Sequence, residues 1–176
     1  MPEASNPPKK AIVLVGLMGA GKSSIGRRLA KRLGLPFTDA DEEIEAAAGL
    51  SVAEIFERFG EAHFRDGEKR VIARLIEGPV SVIATGGGAF IDPGTRALIL
   101  ERCTALWLDG DIDVLAERAG RRHNRPLLRG KDPRAALRAL AEVRNPIYAE
   151  AHLKVRSDTS AHERIVDRIV EALGET

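Results

Sequence analysis

Two rhythms of apolar residues alternate along the chain. Short runs recur at Ile12–Val15, Phe37-Thr38, Val80–Ala84, Thr104–Leu108 and Leu153–Arg156. The first is apolar throughout and rich in β-branched residues, as a strand buried on both faces requires. Between these runs, apolar positions fall three or four residues apart. Ile25, Leu29 and Leu33 predict a helix that follows the first strand and stops at Gly34, with Pro36 preventing its return. Glu42–Ala48 predicts a short helix closed by Gly49. Ser51, with Glu54 three residues on, is a capping box that starts a helix carrying Val52, Ile55, Phe56 and Phe59 inward as far as Gly60. His63–Glu77 predicts another, with Val71, Ile72 and Leu75 as its stripe, although Gly67 costs ~1 kcal/mol there relative to alanine. Helices follow from Asp92-Pro93 to Glu101, over Asp111–Ala119, and from Asp132-Pro133 towards Tyr148. The last follows a second capping box, Ser160 with Glu163, and turns Ile165, Ile169, Val170 and Leu173 inward. Strands that alternate with helices predict an α/β fold, a five-stranded parallel sheet between two helical layers.

No repeat or linker divides this pattern, so residues 11–176 are expected to form one domain. Residues 1–10, with Glu3 and three prolines, predict a disordered leader and no signal-peptide core. The 27 basic and 26 acidic residues leave a formal charge of +1, which gives no global field for nucleic acid or a membrane. No apolar run approaches the length of a membrane span. Cys103 stands alone, which excludes a disulfide framework or a thiolate metal site and points to a reducing cytoplasm. His63, His123, His152 and His162 show no ligand-like spacing. One segment, Gly120–Lys131, is polar, basic and irregular.

The chemistry begins where the first strand ends. From Gly16 the chain reads GLMGAGKS, the spacing G-x-x-x-x-G-K-[ST] of a phosphate-binding loop. Glycines let the turn curl around a triphosphate with backbone N–H groups pointing inward. Gly19, Ala20, Gly21, Lys22, Ser23 and Ser24 are therefore the candidate nucleotide-binding residues. Lys22 would reach the β- and γ-phosphates, and the Ser23 hydroxyl would sit on Mg²⁺. The helix starting near Gly21 would aim its positive end at the anion.

Other unusual residues lie where parallel sheets bind ligands, beyond the carboxyl ends of the strands. Asp39 and Asp41 end the second strand, and Gly86, Gly87 and Gly88 end the third. Taken in order, GLMGAGKSS, DAD at 39–41, FRDGE at 64–68, TGGGA at 85–89, RPLL at 125–128 and RNPIY at 144–148 make the chain resemble the shikimate kinase family. The resemblance extends over nearly the whole chain from Lys10 onward. It implies the nucleoside-monophosphate-kinase-like P-loop fold, with a mobile lid at about 120–132. It also implies ATP-dependent phosphorylation of the 3-hydroxyl of shikimate, in aromatic amino acid biosynthesis, by a cytoplasmic monomer that uses Mg²⁺. Kinases for other polyhydroxy acids, such as gluconate or quinate, and a ligand-sensing module without catalysis are the alternatives.

Residue by residue, the resemblance puts Asp41 on the accepting hydroxyl, where a carboxylate can orient the oxygen and take its proton. Asp39 would help Ser23 hold the metal. Arg65 and Arg144 would clamp the substrate's acid group, since arginine alone makes two parallel hydrogen bonds to a carboxylate. Glu68, one helical turn after Arg65, would hold that guanidinium or touch a hydroxyl, and Gly86–Gly88 would bring backbone N–H groups to the ring oxygens. Arg125 would reach the transferring phosphate from the lid, and Arg118 would stack on adenine. Phe56 is a weaker candidate for the pocket wall, and Phe64 is assigned to the core. Plainer readings stand beside these. Either aspartate can be an N-cap, Arg65 and Glu68 an i, i+3 surface pair, and the glycines a tight turn. Arg121, Arg122, Arg129 and Lys131 read equally as a solvated face. Asp66-Gly67 departs from the family pattern by loosening the helix that aims Arg65 and by placing a rival carboxylate beside it.

Overall fold

The computed structural model describes residues 8–120 and 132–174. Strand β1 (Ile12–Val15) is buried at every position and lies in the middle of the sheet. It pairs in parallel with β3 (Val82–Ala84) on one side and β4 (Thr104–Gly110) on the other. The outer strands are β2 (Phe37–Asp39) beside β3 and β5 (Leu153–Ser157) beside β4, also parallel, so the order is β2-β3-β1-β4-β5.

The helices are α1 (Lys22–Leu33), α2 (Ala40–Ala48), α3 (Val52–Glu77), α4 (Pro93–Arg102), α5 (Ile112–Gly120), α6 (Pro133–Tyr148) and α7 (His162–Gly174). The step from β1 to β2 and the step from β3 to β4 cross the sheet in opposite directions. Right-handed connections therefore put α1 and α4 on opposite faces. Helix α7 packs on α1, whereas α3 packs on α4 and α6 on α5. Three layers result, as the alternation of strands and helices predicts. The direction of winding reverses at β1, and the crevice beyond its carboxyl end is where such sheets bind ligands.

Ile12, Leu14, Ile25, Leu29, Ile83, Ile99, Leu106 and Leu108 are fully buried around the sheet. A second, smaller cluster of Ile44, Ile55, Phe64 and Val71 holds α2 and α3 to each other.

Several boundaries differ from expectation for local reasons. Helix α2 begins at Ala40, because Asp39 is its N-cap and accepts from the N–H groups of Asp41 and Glu42. Asp41 thus stands in the first helical turn rather than on the strand end. The Ser51–Glu54 capping box forms. The two helices expected on either side of Gly60 are both present within α3, separated by a kink where Gly60 takes φ 84°, ψ 173°. The second capping box does not form. Helix α7 starts on the Ala161 carbonyl, Ser160 Oγ accepts instead from Arg168 at 3.2 Å, and Glu163 pairs with Arg28 at 3.4 Å. Asp132 precedes Pro133 at the start of α6 but its side chain makes no cap bond.

Candidate active site

The turn from β1 into α1 is built on left-handed glycines. Gly19 and Gly21 have φ of 83° and 87°, and a Cβ on Gly19 would meet the Leu115 carbonyl at 2.8 Å. The Lys22 ammonium is turned onto the loop itself, donating to the carbonyls of Gly16 at 2.6 Å and Leu17 at 2.9 Å. Two residues from other elements brace the loop. Ser157, at the end of β5, donates to the Ala20 carbonyl at 2.8 Å, and Arg118 donates to the Gly19 carbonyl at 3.3 Å. A cavity of about 290 Å³ opens over the loop, lined by Gly19, Gly21, Lys22, Ser23, Ser24 and Arg118. Ala20 is fully buried, so only its backbone belongs to the loop's framework. His162, at the start of α7, also lines the cavity, with burial first, then Arg28 and Arg118, holding its pKa below the usual value.

Beside this cavity the two carboxylate oxygens of Asp39 serve different partners. Oδ1 accepts from the N–H groups of Asp41 at 2.9 Å and Glu42 at 3.3 Å. Oδ2 accepts from Ser23 Oγ at 2.5 Å. The cap and the contact with Ser23 are therefore compatible. At the end of β3, Thr85 is buried and donates to the Leu14 carbonyl at 2.7 Å, which ties β3 to β1.

A second cavity of about 370 Å³ adjoins the first, and Ser23, Asp39, Asp41, Gly86 and Gly87 line both. Its outer wall brings together Arg65, Glu68, Gly88 and Arg144. Each glycine of the triplet lies against one of the polar side chains. A Cβ on Gly86 would come within 2.9 Å of Asp41 Oδ1 and 3.4 Å of Glu68 Oε2, and one on Gly87 within 3.2 Å of Arg144 Nη1. On Gly88 it would overlap the Arg65 guanidinium. These glycines are needed for space, not for a left-handed backbone.

Arg65 donates to Glu68 Oε1 at 2.9 Å and approaches Glu61 at 3.5 Å. Asp66 is exposed and is not the partner of Arg65, and nothing crowds the position of Gly67; the rival carboxylate expected from the sequence does not compete here. Glu68 is only 2 % exposed. Burial raises its pKa to about 7, against the opposing pull of Arg65 and Arg144 and with a further push from Asp41. Glu68 Oε2 and Arg144 Nη1 are buried atoms with no hydrogen-bond partner among the described residues. An anion with hydroxyl groups can meet the first with a donor and the second with an acceptor.

Phe56 and Phe64 line the same cavity, with ring centroids 4.7 Å apart and the Arg65 guanidinium 5.1 Å from the Phe64 ring. Phe64 is thus both core and wall, which its helical spacing alone does not reveal. Arg125, together with Arg121, Arg122, Arg129 and Lys131, lies outside the described residues.

A phosphate-binding loop at the reversal point of a parallel sheet, with a polar acceptor cavity beside it, defines a P-loop phosphotransferase. A family model described as shikimate kinase matches residues 18–174. The chain is 58% identical over 164 residues to a shikimate kinase of Caulobacter vibrioides, covering 93% of this chain and 82% of that protein. It is 54% identical over 169 residues to one of Zymomonas mobilis, covering 96% of each. Among solved structures, shikimate kinase from Acinetobacter baumannii in complex with shikimate superposes with a TM-score of 0.93 at 36% identity, covering 96% of this chain and 95% of that one. The chain belongs to the shikimate kinase family.

Proposed function

We propose that this chain transfers the γ-phosphate of ATP to the 3-hydroxyl of shikimate, giving shikimate 3-phosphate and ADP, within aromatic amino acid biosynthesis. One observation carries the reading beyond family membership: Asp41, Arg65, Glu68, Gly86–Gly88 and Arg144 share a single cavity that opens onto the phosphate-binding loop. Arg65 and Arg144 hold the acid group of the substrate as a two-armed clamp. Asp41, on the wall common to both cavities, orients the attacking hydroxyl and takes its proton. Lys22 leaves the loop carbonyls for the β- and γ-phosphates, a change that exchanges one set of charge-assisted hydrogen bonds for another.

Ser23 and Asp39 are the residues that would hold Mg²⁺. Among the described residues no group of three or more His, Cys, Asp or Glu side chains could hold a metal alone. The Ser23–Asp39 pair suits an ion that takes one or two protein oxygens and completes its shell with phosphate and water. When bound, Mg²⁺ neutralises charge on the transferring phosphoryl group. Arg118 flanks the nucleotide and stacks on its base; Arg125, outside the described residues, would by the family resemblance reach the phosphates from a lid at about 120–132. Residues 11–176 act as one kinase domain after a leader over 1–10. The chain works as a monomer on shikimate and ATP, without nucleic acid or membrane; its near-neutral formal charge of +1 gives no global field for either. A lone buried Cys103 suits a reducing cytoplasm.

The test is ADP release from Mg-ATP, with and without shikimate, alongside quinate and gluconate. Strong stimulation by shikimate alone is expected. Equal stimulation by gluconate or quinate would reassign the acceptor. Tight nucleotide binding with no stimulation by any of them would make the chain a sensor.

A further inference from the structure

Tyr148 closes α6 four residues after Arg144, so the two side chains leave the same face of the helix. It is fully buried, with its ring 6.0 Å from that of Trp107 on β4. Its hydroxyl donates to the Gly87 carbonyl, and the Arg144 guanidinium lies against that same glycine, 3.2 Å from where a Gly87 Cβ would stand. We infer that Tyr148 is a positioning residue for the acceptor site, fixing the glycine turn and the Arg144 guanidinium relative to each other.

The physical need is plain in the turn and in the guanidinium beside it. Three consecutive glycines have no side chains by which to hold one shape. The Gly87 carbonyl and the Gly88 N–H belong to one planar peptide, so anchoring the oxygen fixes the direction of the N–H. Gly88 in turn lies against Arg65. Arg144 is 8 % exposed and one of its nitrogens has no partner among the described residues; the Gly87 backbone that Tyr148 anchors is the wall against which its fork lies. Burial pushes the phenol up to about 12, so it remains a donor across the working range of pH. A substrate carboxylate is held alike before and during transfer, so loss of this anchor weakens uniform binding.

The inference rests on reading Arg144 as part of the acid clamp, and the test separates the two. Tyr148→Phe is expected to raise the KM for shikimate by about tenfold, as for a buried carbonyl left without its donor. KM for ATP and kcat should stay near wild type. On an Arg144→Ala background the same change should have a smaller effect than in the wild type. If Arg144→Ala itself leaves the shikimate KM unchanged, the clamp reading fails. If Arg144→Ala raises it and Tyr148→Phe does not, or if the two effects multiply, the positioning role is overturned. A rise in both KM values together with a lowered Tm would mark Tyr148 as a packing residue only. Because the chain has a single tyrosine, 3-fluorotyrosine labelling gives one ¹⁹F reporter at this position. It should shift on adding shikimate and not on adding ADP, and no shift with shikimate would also overturn the role.

Discussion

At Asp39 the cap and the metal-side contact were rival readings of one residue, and the structure divides them between two oxygens. Asp41 gains its place from that division, since the cap on its N–H sets the first turn of α2 beside Gly86. Asp41→Asn should keep ATP binding and the thermal midpoint while lowering turnover at least about a hundredfold; near-normal turnover would remove Asp41 from the chemistry. At Gly88 the constraint is space. Gly88→Ala must displace the Arg65 guanidinium, and should raise the KM for shikimate by about tenfold without touching that for ATP. Glu68 yields a prediction with a sign. Its folded pKa of about 7 lies above its ordinary 4.5, so between those values the folded state binds a proton that the unfolded chain has released. Its contribution to stability is therefore fully present below pH 4.5 and is lost as pH rises through 7. The change amounts to about 3 kcal/mol. Urea titrations of wild type and Glu68→Gln across that window should diverge accordingly, with the wild type losing relative stability as pH rises. Tyr148 and Ser157 were harder to read. Their partners, the carbonyls of Gly87 and Ala20, lie far away in sequence, and nothing in local pattern marks a side chain that serves a distant backbone.

Helix α3 shows which element-scale features are legible. Its capping box forms as the four residues Ser51–Glu54 dictate, because a cap is a local contract between neighbours. Gly60 was equally visible, as the interruption between two helices that the structure shows. The chain passes through a conformation that only glycine adopts easily and then resumes the helix, since Ile55 and Phe64, on opposite sides of the kink, join the same small cluster. Gly60→Ala should cost about 1–3 kcal/mol, measurable as a lowered thermal midpoint although no atom crowds the site. An unchanged midpoint would mean that the kink relaxes freely. The second capping box failed for the opposite reason: Ser160 and Glu163 have the right spacing, but Arg168 and Arg28 take their side chains. One competing partner comes from the same helix and the other from α1, and the spacing of the motif carries no record of either.

The order of the sheet, β2-β3-β1-β4-β5, was only partly legible. Alternating strands and helices predict parallel pairing and three layers, whereas which strand lies centrally follows from crossings that no single segment encodes. The expectation that the unusual residues gather at strand ends did hold for Gly86–Gly88, because the reversal of winding at β1 creates the crevice there. That central position also bears on biosynthesis. The strand that leads into the phosphate-binding loop is made first, yet its two neighbours, Val82–Ala84 and Thr104–Gly110, are made much later. On a ribosome, Ile12–Val15 therefore emerges as an exposed apolar segment with no edge to join, and closing the long intervening loop is entropically slow. Nascent chains of increasing length should become protease-resistant, and be captured on immobilised ATP, only once β4 has cleared the exit tunnel. Until then the segment that organises the finished enzyme is the part of the young chain most in need of a chaperone.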